Sequence, residues 1–270
     1  MISEITANTW VTVGIVAGIF CGIALALTIL ILVVSRICKI DTDEKLEQII
    51  EKLAGANCGG CGCSGCSGFA EKLCKGECNL SDCHVTSPES KQEIAKILGV
   101  EIGDEEPTVA CVKCAGGSNA VDLYAYSGID SCVYNAQLFK GAKTCDDGCL
   151  GLGTCLRSCP ERAISIVDGV SVIDPDVCIS CGMCINACPK KLIERIPVKA
   201  KIYVACSSHC KGKEVMNACK VGCIACGLCA KFCPEKAITM ENNIPHIDYT
   251  KCSGCMTCVA KCPRKVIKIR

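Results

Sequence analysis

Aromatic side chains are scarce in this chain, 4% of 270 residues with a single tryptophan. Phe, Tyr and Trp ordinarily dominate the cores of globular domains, so the shortage fits modules whose cores are partly inorganic. No sign of charge prevails either: 29 Lys and Arg against 28 Asp and Glu leave +1. Such a balance creates no field that would recruit nucleic acid or another polyanion. The three histidines, His84, His209 and His246, form no evident catalytic grouping with a Ser or Cys nucleophile. No Gly-x-Gly-x-x-Gly stands between a strand and a helix, which excludes a dinucleotide site of that type. No positively charged stretch precedes the N-terminal apolar run and no small-x-small cleavage site follows it, so it does not read as a secretory signal.

Cysteine is what the chain has in abundance, 31 residues. A disulfide framework would need an oxidising compartment, and zinc sites use paired C-x₂-C knuckles. Here Cys178, Cys181, Cys184 and Cys188, followed by Pro189, make C-x₂-C-x₂-C-x₃-C-P. In bacterial two-cluster ferredoxins the first three thiolates of such a run take one [4Fe–4S] cube and the fourth reaches the neighbouring cube. The run recurs at Cys223, Cys226, Cys229, Cys233 and at Cys252, Cys255, Cys258, Cys262, each time with Pro next.

An internal repeat frames these runs. The segment from Val112 and Cys114 through Cys145, Cys149, Cys155 and Cys159 matches the one from Val204 and Cys206 through Cys219, Cys223, Cys229 and Cys233. Both continue into a short strand, 164–172 and 238–247, and then a second run. Leu152 stands where the later copy has Cys226, so the first unit lacks one thiol, and Cys145 is the substitute nearest in sequence. Crossed pairing then groups Cys145, Cys149, Cys155 with Cys188, and Cys178, Cys181, Cys184 with Cys159. In the second unit it groups Cys223, Cys226, Cys229 with Cys262, and Cys252, Cys255, Cys258 with Cys233. A rival scheme makes Cys111, Cys114, Cys132 and Cys145 a group of their own. Cys111, Cys114, Cys132, Cys206, Cys210 and Cys219 are therefore candidate additional ligands, or else small buried apolar residues.

Upstream, Cys58, Cys61 and Cys66 in a Gly-rich loop, with Cys83 further on, form a second kind of [4Fe–4S] site. Cys63, Cys74 and Cys78 are surplus and leave that choice open. Asp41 to Glu44 reads as a capping box before an amphipathic helix with Leu46, Ile49, Ile50 and Leu53 on one face. Ser87, Pro88 and Gly99 bracket another helix. Residues 100–110 read as a strand-poor linker. Residues 10–34 are apolar without a charge, long enough to cross a hydrocarbon core of about 30 Å. Arg36 and Lys39 follow the run while Glu4 alone precedes it, which by the positive-inside rule sets the rest of the chain in the cytoplasm. No charge within the run could serve an ion pathway. Cys21 and Cys38 each stand alone and read as bystanders.

The predicted architecture is α+β. An anchor (1–40) precedes a small helical iron–sulfur domain (41–100) and two tandem two-cluster ferredoxin units (108–200 and 201–270), with at least five [4Fe–4S] clusters. The anchor, the Cys58–Cys66 loop, the Cys145-x₃-Cys149-Leu-Gly-Leu-Gly-Thr-Cys155 signature and the repeated runs together resemble the B subunit of the Rnf complex, in its long clostridial-type form. That family's first site reads roughly CGxCGxPGC, which supports Cys58, Cys61 and Cys66 with Cys83; here Ser64 replaces the proline and Cys63 is extra. The resemblance implies a single-pass component of the cytoplasmic membrane in an ion-translocating ferredoxin:NAD⁺ oxidoreductase. Such a component takes electrons from soluble ferredoxin and passes them toward a flavin- and NAD-bearing partner, with no catalytic substrate site of its own. Electron-transfer subunits of a related complex, either one that reduces a redox-sensing transcription factor or a membrane hydrogenase, share these features. A non-redox metal scaffold is the reading of a different class.

Overall fold

Short hairpins recur through the chain because turn residues that tolerate positive φ interrupt its apolar runs. The computed structural model describes residues 17–33, 44–103 and 106–270. Strand β2 (Ile164–Val167) turns back through Asp168 and Gly169, at φ 49° and 75°, into β3 (Val170–Ile173). Strand β6 (Ile238–Glu241) turns through Asn242 and Asn243, at φ 47° and 68°, into β7 (Ile244–Ile247). Each segment expected as one short strand is thus an antiparallel hairpin, with Ile164 paired to Ile173 and Ile238 to Ile247.

A second ribbon closes each unit. Strand β1 (Thr108–Val112) pairs antiparallel with β4 (Ile193–Pro197), and β5 (Ile202–Val204) with β8 (Ile267–Ile269). Strand β1 begins inside the stretch expected to be strand-poor, because Val109, Ala110, Cys111 and Val112 are all buried in that ribbon. The two ribbons of a unit sandwich short helices: α6 (Thr154–Arg157) and α7 (Met183–Ala187) in the first, α9 (Leu228–Lys231) and α10 (Thr257–Lys261) in the second. The first unit also carries α5 (Cys132–Gln137), and the second α8 (Lys213–Ala218).

Ahead of both units lies a three-helix segment: α2 (Glu44–Lys52), α3 (Cys66–Lys75) and α4 (Pro88–Leu98). Ser87 caps α4 by accepting from Ser90 N–H, and Gly99 ends it at φ 71°. Ile49, Phe69 and Ile94 are at most 1% exposed and form its core with Leu53, Leu73 and Leu80. Each such side chain contributes about 1.5–3 kcal/mol of burial.

The chain divides into two compact units, Met1–Glu44 and Lys45–Arg270. The chain from Lys45 onward therefore packs as one body, where the motifs alone suggest a finer division. Helix α1 is described over residues 17–33, and its Ile, Leu and Phe side chains stand exposed. Among the described residues no helix is long and apolar enough to cross a membrane. The remainder of the expected span, 10–16 and 34, lies outside the described residues, as do Glu4, Arg36, Cys38, Lys39 and Asp41.

Candidate metal centres

One local device is used four times. A residue in the left-handed region precedes each of α6, α7, α9 and α10: Gly153 (φ 70°), Gly182 (83°), Gly227 (70°) and Met256 (62°). Three are glycines because a Cβ is disfavoured there; Met256 adopts the same φ with a side chain, at a cost of about 1–2 kcal/mol. The helix that follows turns one thiol inward, and Cys155, Cys184, Cys229 and Cys258 are all buried. The last cysteine of each run then precedes proline, which stops the helix. Its sulfur accepts a backbone N–H four residues on: Ala163 to Cys159 (3.3 Å), Leu192 to Cys188 (3.5 Å), Ala237 to Cys233 (3.3 Å) and Val266 to Cys262 (3.3 Å). Such amide donors lower the electron density on a ligand sulfur and so tune a cluster's potential.

The thiols gather across the two halves of each unit. Burial pushes Cys184 up to about 12, and the neighbouring Cys178, Cys181 and Cys159 push it the same way. These four line one cavity of about 330 Å³. In the second unit burial raises Cys223 to about 11, with Cys229 and Cys262 beside it, while Cys226 neighbours Cys229. Cys258, also about 11 from burial, lies with Cys252 and Cys233. Cys255 is exposed.

The remaining group of the first unit differs from the sequence expectation. Burial raises Cys155, Ser171 offsets this by a hydrogen bond, and the neighbouring thiols are Cys149, Cys132 and Cys188. Cys188 likewise has Cys149 and Cys132 beside it. Cys132, at the start of α5, thus stands where ligand spacing would place Cys145. Its N–H donates to Thr154 Oγ1 at 2.8 Å, and buried Asn135 accepts from Ala142 N–H at 2.8 Å, which folds the 132–142 loop against α6. Cys145 instead lines another cavity, with Cys114, Cys206 and Cys219. The rival grouping of Cys111, Cys114, Cys132 and Cys145 is not what the fold assembles. Cys111 sits in a buried layer with Val109, Ile196 and Tyr203, where burial holds its thiol at about 12. Cys210 is only half-buried, beside Glu214.

In the N-terminal segment Cys58, Cys61, Cys66 and Cys83 line one cavity of about 380 Å³, and Cys181 forms part of its wall. Asn57 Oδ1 accepts from Cys66 N–H at 2.8 Å, and Cys83 Sγ lies 3.2 Å from Thr86 Oγ1. Cys63 is buried beside Cys61 and Cys78, Cys74 is exposed, and Cys78 Sγ donates to Phe69 O.

This donor chemistry suits iron–sulfur cubes. All the described cysteines are free thiols, so no disulfide competes for them. Among the described residues no three His, Cys, Asp or Glu side chains converge on a point that one ion could occupy. A tetrahedral zinc needs its sulfurs about 2.3 Å from a common centre. Four thiols held around a larger space fit a group that brings several irons and sulfides of its own.

Comparison with known proteins agrees with this chemistry. Residues 138–189 and 222–267 each match a family described as "4Fe-4S dicluster domain", and residues 53–85 match "Putative Fe-S cluster". The chain carries several [4Fe–4S] clusters. Over 255 residues it is 38% identical to the B subunit of the ion-translocating oxidoreductase complex of Methanosarcina acetivorans, covering 94% of this chain and 97% of that protein. It is 40% identical over 260 residues to the B subunit of the proton-translocating ferredoxin:NAD(+) oxidoreductase complex of Clostridium ljungdahlii, covering 94% and 89%. It is 39% identical over 261 residues to the B subunit of the Na(+)-translocating ferredoxin:NAD(+) oxidoreductase complex of Acetobacterium woodii, covering 95% and 77%.

Proposed function

This chain belongs to the B-subunit family of Rnf-type ion-translocating oxidoreductase complexes, and on that premise we propose that it accepts electrons from reduced soluble ferredoxin and relays them toward the flavin- and NAD-bearing part of its complex. A [4Fe–4S] group, once held, takes up and returns one electron at a time. The protein's part is to hold such groups close together and shield them. The observation that carries the reading is the continuity of three of the thiol groups within one compact body. The Cys58 group abuts Cys181, Cys181 shares a group with Cys184, and Cys184 neighbours Cys155 of the Cys132 group. We assign ligation to Cys58, Cys61, Cys66, Cys83; to Cys159, Cys178, Cys181, Cys184; to Cys132, Cys149, Cys155, Cys188; to Cys223, Cys226, Cys229, Cys262; and to Cys233, Cys252, Cys255, Cys258.

The surface of the second unit supports a role in meeting the donor. Cys226 and Cys255, one from each of its two groups, are exposed. Phe232, 44% exposed, lies between two lysines whose Nζ atoms stand 5.9 Å (Lys231) and 5.3 Å (Lys261) from its ring centroid. An exposed ring flanked by cations suits an anionic protein carrier, attracted by charge and seated on an apolar contact. At the other end of the chain, the exposed apolar face of α1 and the uncharged run around it support a single-pass anchor, with Arg36 and Lys39 holding the rest in the cytoplasm. Relatives named for different ions have this component in common, and the apolar run carries no charge; this favours ion movement in other subunits.

The test is stopped-flow bleaching of the anaerobically purified protein by reduced ferredoxin, alongside NAD⁺ reduction by membranes with and without this chain. Rapid bleaching and NAD⁺ reduction that depends on the chain are expected. A protein that holds its iron but is not reduced by ferredoxin would overturn the proposed donor.

A further inference from the structure

We propose that Cys114, Cys145, Cys206 and Cys219 hold a sixth [4Fe–4S] cluster, assembled between the two ferredoxin units with two thiolates from each. This extends the cluster-bearing reading of the chain and is independent of which protein donates the electrons.

The four thiols line a single partly open cavity of about 450 Å³, comparable with the equally open spaces of about 380 and 330 Å³ lined by the Cys58 and Cys178 groups. Apolar small residues complete its wall, among them Ala120, Ala205, Val215 and Ala218. Cys206 and Cys219 are buried and Cys114 and Cys145 half-buried. The thiols also sense one another: Cys145 has Cys206 and Cys114 beside it, and Cys206 has Cys219. A Cβ placed on Gly116 would lie 3.5 Å from both Cys114 Sγ and Cys219 Sγ, so a thiol from each unit faces the same small residue.

The arrangement repeats itself across the unit boundary. Cys149 N–H donates to Cys114 Sγ at 3.4 Å, and Cys223 N–H donates to Cys206 Sγ at 3.4 Å. Gly148 N–H donates to Cys145 O, and Gly222 N–H to Cys219 O. Cys114 with Cys145 is therefore the same structural pair as Cys206 with Cys219, one copy in each repeat. The two copies are fastened directly: Ala120 bridges Cys219 in antiparallel register, Val121 N–H donates to Ala218 O, and Lys220 N–H to Asn119 O. Arg264 secures the second copy by donating to Gly222 O and Cys219 O.

Cys149 also lines the cavity, but its thiol lies 3.9 Å from Ser171 Oγ, the hydroxyl that also hydrogen-bonds Cys155. That orientation commits Cys149 to the Cys132 group and leaves four thiols for the cavity. The sulfurs of Cys114 and Cys206 already receive amide donors, as the last cysteine sulfur of each of the four runs does. The site sits between Cys149 on one side and Cys223 on the other, so it joins the last group of the first unit to the first group of the second.

Native mass spectrometry of the anaerobic protein tests this without any electron donor. The most loaded species should carry about 24 irons, four for each of six cubes. Cys114→Ser and Cys219→Ser, taken from opposite units, should each lose about four irons, whereas Cys111→Ser and Cys210→Ser should lose none. A fully loaded wild-type count of about 20 overturns the site whatever the variants do, and so does full retention of iron in both ligand variants. Variants that lose more than four irons have lost a whole unit; the wild-type count then decides alone. A protein with about 24 irons that ferredoxin fails to reduce would defeat the proposed donor and leave this site standing.

Discussion

Gly60 offers a way to change the distance between two thiol groups without touching a ligand. It lies on the loop between Cys58 and Cys61, and a Cβ built there would meet the Cys181 carbonyl oxygen at 2.0 Å and its carbon at 3.0 Å. Ordinary contact begins at 3.4 Å, so Gly60→Ala forces the two loops apart by about 1.4 Å. Both partners are backbone, and no rotamer change relieves the clash. Gly60 is not among the residues at positive φ, so alanine itself is unstrained there. Overpacking of this kind costs about 1–3 kcal/mol, small enough for the segment to remain folded on its Phe69 and Ile94 core. Iron content should be unchanged, while reduction of the Cys58 group through the rest of the chain should slow, since electron transfer falls steeply with the gap. Gly103→Ala, with nothing within 4 Å, is the control. The assay is multi-wavelength stopped-flow after addition of reduced donor, with iron counted on the same sample. An unchanged rate of reduction of the Cys58 group in Gly60→Ala at full iron content would refute the close approach of these two loops as the route.

Three further outcomes follow from the same geometry. Cys132→Ser should lose about four irons while Cys74→Ser, an exposed thiol outside every group, keeps them all; equal losses would show that Cys132 is not a ligand. Lys231→Glu with Lys261→Glu should raise the KM for ferredoxin severalfold and flatten its salt dependence with little change in iron content, because charge at a rim acts mainly on encounter; an unchanged KM places the docking face elsewhere. Loading should depend on pH in one direction: thiols that burial raises from 9.0 to about 12 (Cys184) and about 11 (Cys223, Cys258) are protonated at neutral pH. Iron must displace those protons, so reconstitution at limiting iron should release acid and weaken as pH falls from about 8.5 to about 6.5; a flat profile would contradict it.

The sequence is most legible where ligand spacing is local. The run from Cys178 to Pro189 names its own turn, helix and stop, and the structure brings Cys178, Cys181, Cys184 and Cys159 to one cavity. Legibility ends at Leu152. With the thiol missing there, nearness in sequence favours Cys145, but the loop from Cys132 to Ala142 is held by the Asn135 amide and the Thr154 hydroxyl. Those ties deliver Cys132 instead. Neither partner has a sequence pattern that marks it. The hairpin turns are signalled by Asp168-Gly169 and Asn242-Asn243, a two-residue code that is weak here because the flanking apolar runs are short. Strand β1 is obscured by the polar 101–107 stretch before it, and its pairing with β4 depends on residues some eighty positions away.

The crossed ligation proposed above has an evolutionary consequence. Cut the first unit anywhere between Cys159 and Cys178 and the first piece keeps Cys132, Cys149 and Cys155 but loses Cys188, while the second keeps Cys178, Cys181 and Cys184 but loses Cys159. Neither fragment retains all four thiols of either assigned group. Splitting a unit therefore breaks both of its groups at once, whereas duplicating it whole adds two. Duplicating a unit also sets two spare thiols of the parent against the same two of the copy, so the join between copies inherits four cysteines that neither copy could use alone.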